Sequence, residues 1–436
     1  MLNDSLPFDS TEPEAALRQL PSRKAVFALY GADEAAEPYI GVTPDLRRRL
    51  ERLLRPAKGQ TKRLQLVSRV RRIAWQVTGS EFESLLVQFR LLEQVYGPKA
   101  LERMKLHAPA FVKFHGGNPY PRLTVTNRPS LKGSQWAFGP FPSRVAADRY
   151  AEEMLKLFLL RRCEENLDPN PSHPGCVYSE MKMCLAPCYQ GCTDARYADE
   201  AEAVRGFLAT RGESKLVQIR TERDRASEEL EFETAAKLHA QLEKIEAVRA
   251  LAAEIVRPLS ELRVTLLQTS TNPDEVSVFL FQDGVWRGPA AFSTLGMRVQ
   301  NEQSGSSSLF AQPMAIQPVP EDGVAFAARD VLEARMEAAL AKLSDAQPQP
   351  NATLRQGSLA LLTRWYYRPK EKRAGEVFFE GSESKWPVKA MLRGVGRVFA
   401  TNLAKAAPPT QTDHSAAGTL KGSGNASGTE PGEAYG

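Results

Sequence analysis

The chain has 436 residues, of which 42% are hydrophobic and 25% are charged, as is ordinary for a globular protein of about two to four domains. No apolar run approaches the roughly 18–20 residues that cross a membrane, which argues against a membrane protein. The first residues lack the basic and apolar segments of a secretory signal, so we expect a cytoplasmic location.

The amino-terminal elements have the pattern of a small α/β domain at residues 24–105. We expect strands at 25–30, 38–42 and 73–78, and a helix at 44–54 that Thr43 caps with Pro44 in its first turn. A second helix at 81–95 follows its capping residue Ser80 and has apolar side chains at helical spacing. Residues 1–20 show no such pattern and are expected to form a poorly ordered lead-in.

A basic stretch at residues 47–72 carries eleven Arg and Lys side chains and one acidic residue, Glu51. A surface with this field attracts the phosphodiester backbone of a nucleic acid. The alternative is a solvated helix face followed by a loop. The predicted DNA contacts are Arg47, Arg48, Arg52, Lys62, Arg63, Arg71 and Arg72.

A connector at 106–195 follows, with strands expected at 120–126 and 136–141 and a helix at 144–158. Residues 196–258 have the pattern of long helices, and 259–402 that of a small α+β region with a hairpin turning at Asp283-Gly284 and a helix at 327–343. Residues 300–320 are expected to be mobile. The segment 403–436 is rich in small and polar residues and is expected to be a disordered tail.

All five cysteines lie between Cys163 and Cys192, in a loop-rich part of the connector. A cytoplasmic protein keeps its thiols reduced, and five thiols cannot all pair, so a disulfide framework is a weak interpretation. Zinc, an iron–sulfur cluster and free thiols remain as alternatives. The spacing lacks the C-x2-C knuckle that is usual for zinc and favours a cluster.

Three stretches, in this order, resemble the UvrC component of the bacterial excinuclease ABC and its shorter Cho-type relatives. The first joins Ala25-Val26-Phe27 to Tyr39-Ile40-Gly41, the second runs from Phe138-Gly139-Pro140-Phe141 to Cys184-Leu185-Ala186-Pro187-Cys188, and the third is residues 230–238. The resemblance covers about residues 24–258 and continues weakly to about 380. The family's carboxyl-terminal RNase H-like nuclease is expected to be absent.

The first stretch resembles a GIY-YIG nuclease core, in which a glutamate holds a divalent cation and tyrosines and a lysine help to activate water. Residue by residue, the resemblance retains a tyrosine at Tyr39 and the arginine at Arg49. The other family positions hold replacements, and these are Phe27 for tyrosine, Val42 for lysine, Gln88 for the metal glutamate and Leu101 for asparagine. Because a hard cation prefers charged oxygen ligands, Gln88 predicts loss of Mg²⁺-dependent cutting. Possible substitutes are the carboxylates of Glu81 or Glu83 and the phenol of Tyr30.

The resemblance implies a [4Fe–4S] cluster, with zinc less favoured, on four residues that match the family's cysteines: Cys163, Cys176, Cys184 and Cys188. Cys192 has no counterpart and is either a spare thiol or an alternative ligand. The third stretch resembles the UVR motif that docks on UvrB. Its expected contacts, with Phe232 at the turn of a helical hairpin, are Leu230, Phe232, Ala235, Ala236 and Leu238. The same apolar residues could instead only hold two helices together.

The resemblance therefore implies a protein of nucleotide excision repair that binds DNA and UvrB through a GIY-YIG-like domain, a cysteine region and a UVR hairpin. With an eroded catalytic site it would act as an adaptor, and with a substitute carboxylate as a nuclease that cuts on the 3′ side. An iron–sulfur protein that binds nucleic acid outside repair is a further alternative.

Overall fold

The computed structural model describes residues 2–33, 36–54, 66–129, 135–297, 328–345, 351–381 and 384–406. The segment 300–320, predicted to be mobile, lies outside the described residues, as does most of the predicted tail. Residues 403–406 belong to the last helix, so the prediction of disorder was wrong for them. No helix in the described ranges is long and apolar enough to cross a membrane.

The amino-terminal domain is an antiparallel sheet in the order β1-β4-β2-β3, with helices on both faces. Its elements are β1 (Asp4–Pro7), α1 (Pro13–Gln19), β2 (Ala25–Tyr30), β3 (Tyr39–Thr43), α2 (Leu46–Leu54), α3 (Leu66–Arg69), β4 (Arg72–Val77), α4 (Glu81–Tyr96) and α5 (Lys99–Arg103). Phe27 and Leu29 face a core shared with α1 and α2. Val26 and Ala28 alternate with them and face α4.

Two predictions for this domain were wrong. Residues 1–20 are not a disordered lead-in, because β1 pairs with β4 and α1 buries Leu17 in the core beside α2. Helix α2 begins at Leu46, and its cap is Asp45, whose carboxylate accepts from the backbone N–H of Arg48 at 2.9 Å. Thr43 instead accepts from the N–H of Asp45 at 3.2 Å. The Ser80 cap of α4 is confirmed, since its hydroxyl accepts from the N–H of Glu83 at 3.0 Å.

The middle region contains a second antiparallel sheet, in the order β6-β5-β7-β8. Its elements are β5 (Ala110–His115), β6 (Leu123–Thr126), β7 (Gln135–Phe141), α6 (Arg144–Leu155), α7 (Val177–Glu180), a short 3-10 turn (Pro187–Tyr189) and α8 (Asp194–Ala209). Helix α6 packs on the sheet through Tyr150, whose ring contacts Phe138 and Phe141. Two long helices follow as an antiparallel hairpin, α9 (Glu213–Glu228) and α10 (Phe232–Ala250).

The carboxyl-terminal region contains the third sheet, in the order β11-β10-β9-β12. The region begins with β8 (Arg257–Pro258), which belongs to the middle sheet, and a 3-10 turn (Leu259–Glu261). Its other elements are β9 (Val264–Thr269), β10 (Glu275–Gln282), β11 (Val285–Ser293), α11 (Arg329–Asp345), α12 (Ala352–Tyr366), a 3-10 turn (Lys370–Lys372), β12 (Glu376–Phe379) and α13 (Val388–Ala406). The hairpin predicted at Asp283-Gly284 is confirmed. Helices α11 and α13 share a core on one face of this sheet, and α12 packs on the other.

Helix α4 connects the amino- and carboxyl-terminal sheets. Its Phe82 ring contacts Phe279 and Trp286 with centroid distances of 5.3 and 4.8 Å. Its Arg90 guanidinium donates to the carbonyls of Gly288 and Trp286 at 3.0 and 2.8 Å. The largest core cluster accordingly runs without interruption from α4 through the middle sheet to β10 and α12.

The contact of α12 with α4 depends on Gly357, which lies against the ring of fully buried Phe89. A methyl group at Gly357 would overlap that ring, so Gly357→Ala is expected to lower the free energy of unfolding by about 1–3 kcal/mol. Gly396→Ala in α13 is the matched control, because its methyl group meets nothing within 4 Å. It should stabilise by up to about 1 kcal/mol. Urea unfolding of both variants measures the difference, and equal effects would show that the α4–α12 contact is loose.

Candidate functional site

The two aromatic residues at the family's tyrosine positions lie together on the amino-terminal sheet. Phe27 is buried on β2, and Tyr39 is 41% exposed on the edge strand β3, with their ring centroids 6.1 Å apart. The register pairs Phe27 with Gly41, where a side chain would approach the Phe27 ring to 2.7 Å. The glycine after Tyr39-Ile40 is therefore required by the ring that lies over it.

Val42 and Gln88, two of the other replaced positions, lie on the opposite side of the sheet from Tyr39. Val42 pairs with Val26, which faces α4, and is 39% exposed on the edge strand. Gln88 is half-buried on α4. On this helix it lies between Val87 and Leu91, which pack towards Val26 and Ala28 of the amino-terminal sheet, and the residues that face the main core. Tyr30 also alternates onto the α4 side, so it cannot replace a phenol on the face of Phe27.

Arg49 is half-buried on α2, whose core positions are Leu46 and Leu50. Within the described ranges, no hydrogen bond or ion pair joins Arg49 to Tyr39 or to Gln88. Tyr39, Arg49 and Gln88 thus lie on β3, α2 and α4, and in the described ranges no hydrogen bond or ion pair connects Arg49 with the other two.

The two carboxylates that could replace the missing glutamate are already engaged. Glu83 is 4% exposed, its Oε2 accepts from the N–H of Gly79 at 2.8 Å, and its burial raises the pKa of its carboxyl group. Glu81 receives a hydrogen bond from Arg368 at 2.8 Å, which is the main cause of its lowered pKa. Both lie in the first turn of α4, whereas Gln88 lies more than a turn further along the helix.

Three of the predicted DNA-contacting arginines have internal partners. Arg47 donates from Nε to the Leu20 carbonyl at 2.7 Å, and Arg71 donates from Nη1 to the Ser68 and Val70 carbonyls, both at 2.9 Å. The Arg72 guanidinium lies 3.9 Å from the centre of the Tyr30 ring. These contacts hold the three side chains against the domain, so fewer of their hydrogen-bonding groups are available to a ligand.

Arg48 and Arg52 lie on the exposed face of α2, which also carries Glu51 and which Asp45 caps with its carboxylate. That carboxylate, Asp45, has a lowered pKa, chiefly because it accepts hydrogen bonds from the Ser22 hydroxyl and the Arg48 backbone, and also because of the charge of Arg48. Lys62 and Arg63 lie outside the described residues. The exposed face of α2 is thus the described part of the predicted DNA surface.

The four cysteines of the expected ligand set lie in the region between α6 and α8 that includes the short turn Pro187–Tyr189. The pKa of Cys184 is raised to about 11, first by burial and then by the charges of Cys163, Cys176 and Cys188, so these three thiols lie within electrostatic range of Cys184. Across the described ranges, however, no group of three or more His, Cys, Asp or Glu side chains is placed to hold a metal ion. Cys192 is half-buried nearby, and burial also raises its pKa.

Arg161 is a buried cation beside these thiols that the sequence analysis did not select. It is 1% exposed, its Nη1 lies 3.4 Å from the Cys163 Sγ, and its buried Nη2 has no hydrogen-bond partner. Its Nε and Nη1 donate to the carbonyls of Tyr120 and Glu165 at 2.9 and 2.8 Å, and a thiolate at Cys163 would add an anionic partner. The donor set therefore fits a group held by thiolates. The signal available in the sequence was a basic residue two positions before the first cysteine.

The helical hairpin has a buried base and an exposed apolar tip. Leu242, Ile245 and Val248 belong to the main core. At the turn, Leu230 has φ +61° and is 70% exposed, and Phe232, which begins α10 rather than lying within the turn, is 67% exposed. Ala236 is exposed, whereas Ala235 and Leu238 are half-buried. The interpretation that these residues only hold two helices together therefore applies to the base and not to the tip.

Two segments of the chain match the models of known protein families. Residues 110–207 match the family model described as the UvrC/Cho excinuclease middle domain, and residues 213–248 match the UvrB/uvrC motif. Over these residues the chain is similar to the UvrC/Cho family. The middle-domain match contains all five cysteines, and the motif match covers nearly all of α9 and α10.

Curated proteins similar to this chain include those named UvrABC system protein C from Shigella dysenteriae serotype 1 and Escherichia coli O1:K1 / APEC. Each is 30% identical to this chain over 241 residues, which is 55% of this chain and 41% and 39% of the two relatives. The chain thus spans about two fifths of the length of the relatives it matches. No solved structure matches it.

The two parts of the hairpin should respond differently to truncation. Leu242→Ala removes a side chain that is 6% exposed and should lower the free energy of unfolding by about 2–5 kcal/mol. Phe232→Ala removes one that is 67% exposed and should change it by less than about 0.5 kcal/mol. Urea unfolding followed by circular dichroism makes the measurement. Similar losses in both variants would mean that the tip is packed in solution.

Proposed function

We propose that this chain is a UvrC-like protein of nucleotide excision repair that binds DNA, docks on UvrB and does not itself cut the strand. The observation that carries the proposal is the identity and engagement of the side chains at and near the family's metal position on helix α4. The family's metal glutamate position holds the amide Gln88, and the two carboxylates considered as substitutes, Glu81 and Glu83, are engaged with Arg368 and the Gly79 N–H. The domain and motif that define the family are meanwhile retained.

The chemical argument against cutting concerns charge. Hydrolysis of a phosphodiester needs a cation that polarises the phosphate and stabilises the leaving oxygen. A neutral amide of the same shape as glutamate keeps the packing of α4 but offers Mg²⁺ no charged oxygen. Val42, at the family's lysine position, and Phe27, at a tyrosine position, further remove groups that would help to activate water. Tyr39 and Arg49 then serve as scaffold and phosphate contact.

The proposed DNA contact is the exposed face of α2, with Arg48 and Arg52 at its centre. The GIY-YIG-like domain, on this proposal, is a platform for the phosphate backbone rather than a catalyst. Such binding depends on charge, is insensitive to sequence and weakens with salt.

The proposed UvrB contact is the tip of the α9–α10 hairpin. Exposed aromatic and aliphatic anchors carry most of the affinity of small interfaces, and Leu230 and Phe232 are such anchors. The small side chains of Ala235 and Ala236 allow a partner helix to approach closely. Leu238, deeper in the hairpin, would border the contact.

Docking on UvrB tests this function. Phe232→Ala should weaken UvrB binding at least about tenfold in calorimetry, because it removes an anchor of the contact. Val217→Ala, on α9 and also exposed, is the matched control and should change the affinity less than about twofold. Absence of UvrB binding by the unmodified protein, with nucleic-acid binding retained, would instead favour an iron–sulfur protein that acts outside repair.

We further propose that Cys163, Cys176, Cys184 and Cys188 hold a [4Fe–4S] cluster. The support is the electrostatic interaction of Cys184 with the other three thiols, the buried Arg161 cation beside Cys163 and the spacing of the cysteines. When bound, the cluster would supply a rigid link between α7, the loop after it and the segment that leads into α8. Zinc on the same thiolates is the alternative.

Metal analysis of anaerobically purified protein tests the ligand set. Cys184→Ser should reduce bound iron and sulfide from about four per chain to a small fraction, since one of four ligands is lost. Cys192→Ser is the matched control and should leave the iron content and the visible absorption unchanged. Zinc without iron would contradict the cluster, and loss of iron in Cys192→Ser would contradict the choice of ligands.

A further inference from the structure

A second basic surface follows helix α12, in a part of the chain to which the proposed function assigns no role. Within residues 364–373, five basic side chains accompany a single acid, Glu371. We define the α12 basic surface as four of these together with a lysine from the start of β2: Lys24, Arg364, Arg368, Lys370 and Lys372.

Three segments that are distant in the sequence bring these charges together around Glu81. Arg368 donates to the Glu81 carboxylate at 2.8 Å, and Lys24 and Arg364 are close enough for their charges also to lower its pKa. Arg364, Arg368 and Lys372 also line one shallow cavity with Glu81. The surface is therefore a cluster in space and not only a basic run in the sequence.

Most of this charge is available to a ligand. Arg364, Lys370 and Lys372 are exposed, and no side-chain ion pair holds any of them in the ranges that the structure describes. Positive charge near the carboxyl end of a helix is stabilised by the helix dipole, which accounts for Arg364 and Arg368. It does not account for Lys370 and Lys372, which lie beyond the end of α12.

The segment that carries the surface is held rigidly. Trp365 donates from its indole N–H to the Ala374 carbonyl at 3.2 Å, and Gln268 donates to the same carbonyl at 2.9 Å. Tyr367 donates from its hydroxyl to the Pro140 carbonyl at 3.0 Å, which ties the end of α12 to the middle sheet. Charges that are fixed in place bind a fixed array of phosphates without losing much conformational entropy.

The segment Arg23-Lys24 lies between the start of α2 and the α12 basic surface. The Leu46 N–H at the start of α2 donates to the Arg23 carbonyl at 3.0 Å, and the Thr78 N–H donates to the Lys24 carbonyl at 3.0 Å. The Arg23 side chain hydrogen-bonds to the Thr271 carbonyl, so it joins the amino- and carboxyl-terminal sheets. The start of α2, the segment Arg23-Lys24 and the end of α12 are therefore neighbours at the junction of the two sheets.

We infer that the α12 basic surface is a second contact for the phosphodiester backbone of duplex DNA, which continues from α2 across the junction of the two sheets. The inference rests on the DNA binding in the proposed function and adds a location to it. A phosphate backbone fits because it presents regularly spaced negative charges to several separate segments, whereas a single small anion would engage only one or two of them. The contact would be independent of base sequence.

The slope of log affinity against log salt measures the number of phosphate contacts. We would measure it by fluorescence anisotropy with a short lesion-free duplex and the full chain. In the triple variant Arg364→Gln, Lys370→Gln, Lys372→Gln, the magnitude of the slope should fall by about 2–3. The matched control loses the same charge from exposed lysines on α5, α11 and α13, as Lys99→Gln, Lys342→Gln, Lys389→Gln, and should keep the slope within about 0.5.

A second variant, Arg48→Gln with Arg52→Gln, separates the inference from the proposed function. If this variant lowers the slope and the α12 variant does not, the inference is wrong and the proposed DNA contact on α2 survives. If the unmodified protein does not bind the duplex at all, both fail. If the α12 variant weakens binding to single-stranded RNA or to UvrB but not to the duplex, the surface serves that partner and the inference is overturned.

Discussion

The packing of helix α4 between two cores is the constraint on which the rest of the structure depends. On one side Leu91 meets Val26 and Ala28 of the amino-terminal sheet, and on the other Phe82 and Phe89 pack into the core shared with α12 and the carboxyl-terminal sheet. Because one helix belongs to both cores, the amino- and carboxyl-terminal sheets are fixed relative to each other. The Arg90 hydrogen bonds to β11 carbonyls add a polar tie to this apolar contact.

The same constraint explains how the fold persists while the proposed catalytic chemistry is lost. Position 88 lies beside the packed faces of α4 and is only half-buried, so glutamine there leaves the buried contacts untouched. The charged groups at the start of the helix have structural roles instead, with Glu83 closing the first turn and Glu81 joining α4 to Arg368 beyond α12. The residues that stabilise α4 are thus different from the residue at the family's metal position. On the proposed function, the domain can keep its fold and binding surfaces without a cation site.

The sequence predicted those elements whose signals are local. Helix α4 followed from its apolar spacing and the Ser80 cap, and the β10–β11 hairpin from its turn residues. Strand β1 was missed because it is stabilised by pairing with β4, and the pattern of α12 was obscured because Leu359, Leu361 and Leu362 are buried on several sides. At the candidate site, the family resemblance identified Gln88, but the engagement of Glu81 depends on Arg368, 287 residues away. No local pattern contains a contact of that range.

The most direct test of the account is a combined binding and cleavage experiment on a lesion-bearing duplex preloaded with UvrB, with Mg²⁺ or Mn²⁺ present. The account predicts that the unmodified protein forms a stable complex and leaves both strands intact. A variant with Gln88→Glu and Val42→Lys, which restores the charged groups, provides the reference for cutting if the surrounding geometry is preserved. A discrete cut on the 3′ side of the lesion by the unmodified protein would contradict the account, because it would show that a cation is held without the glutamate.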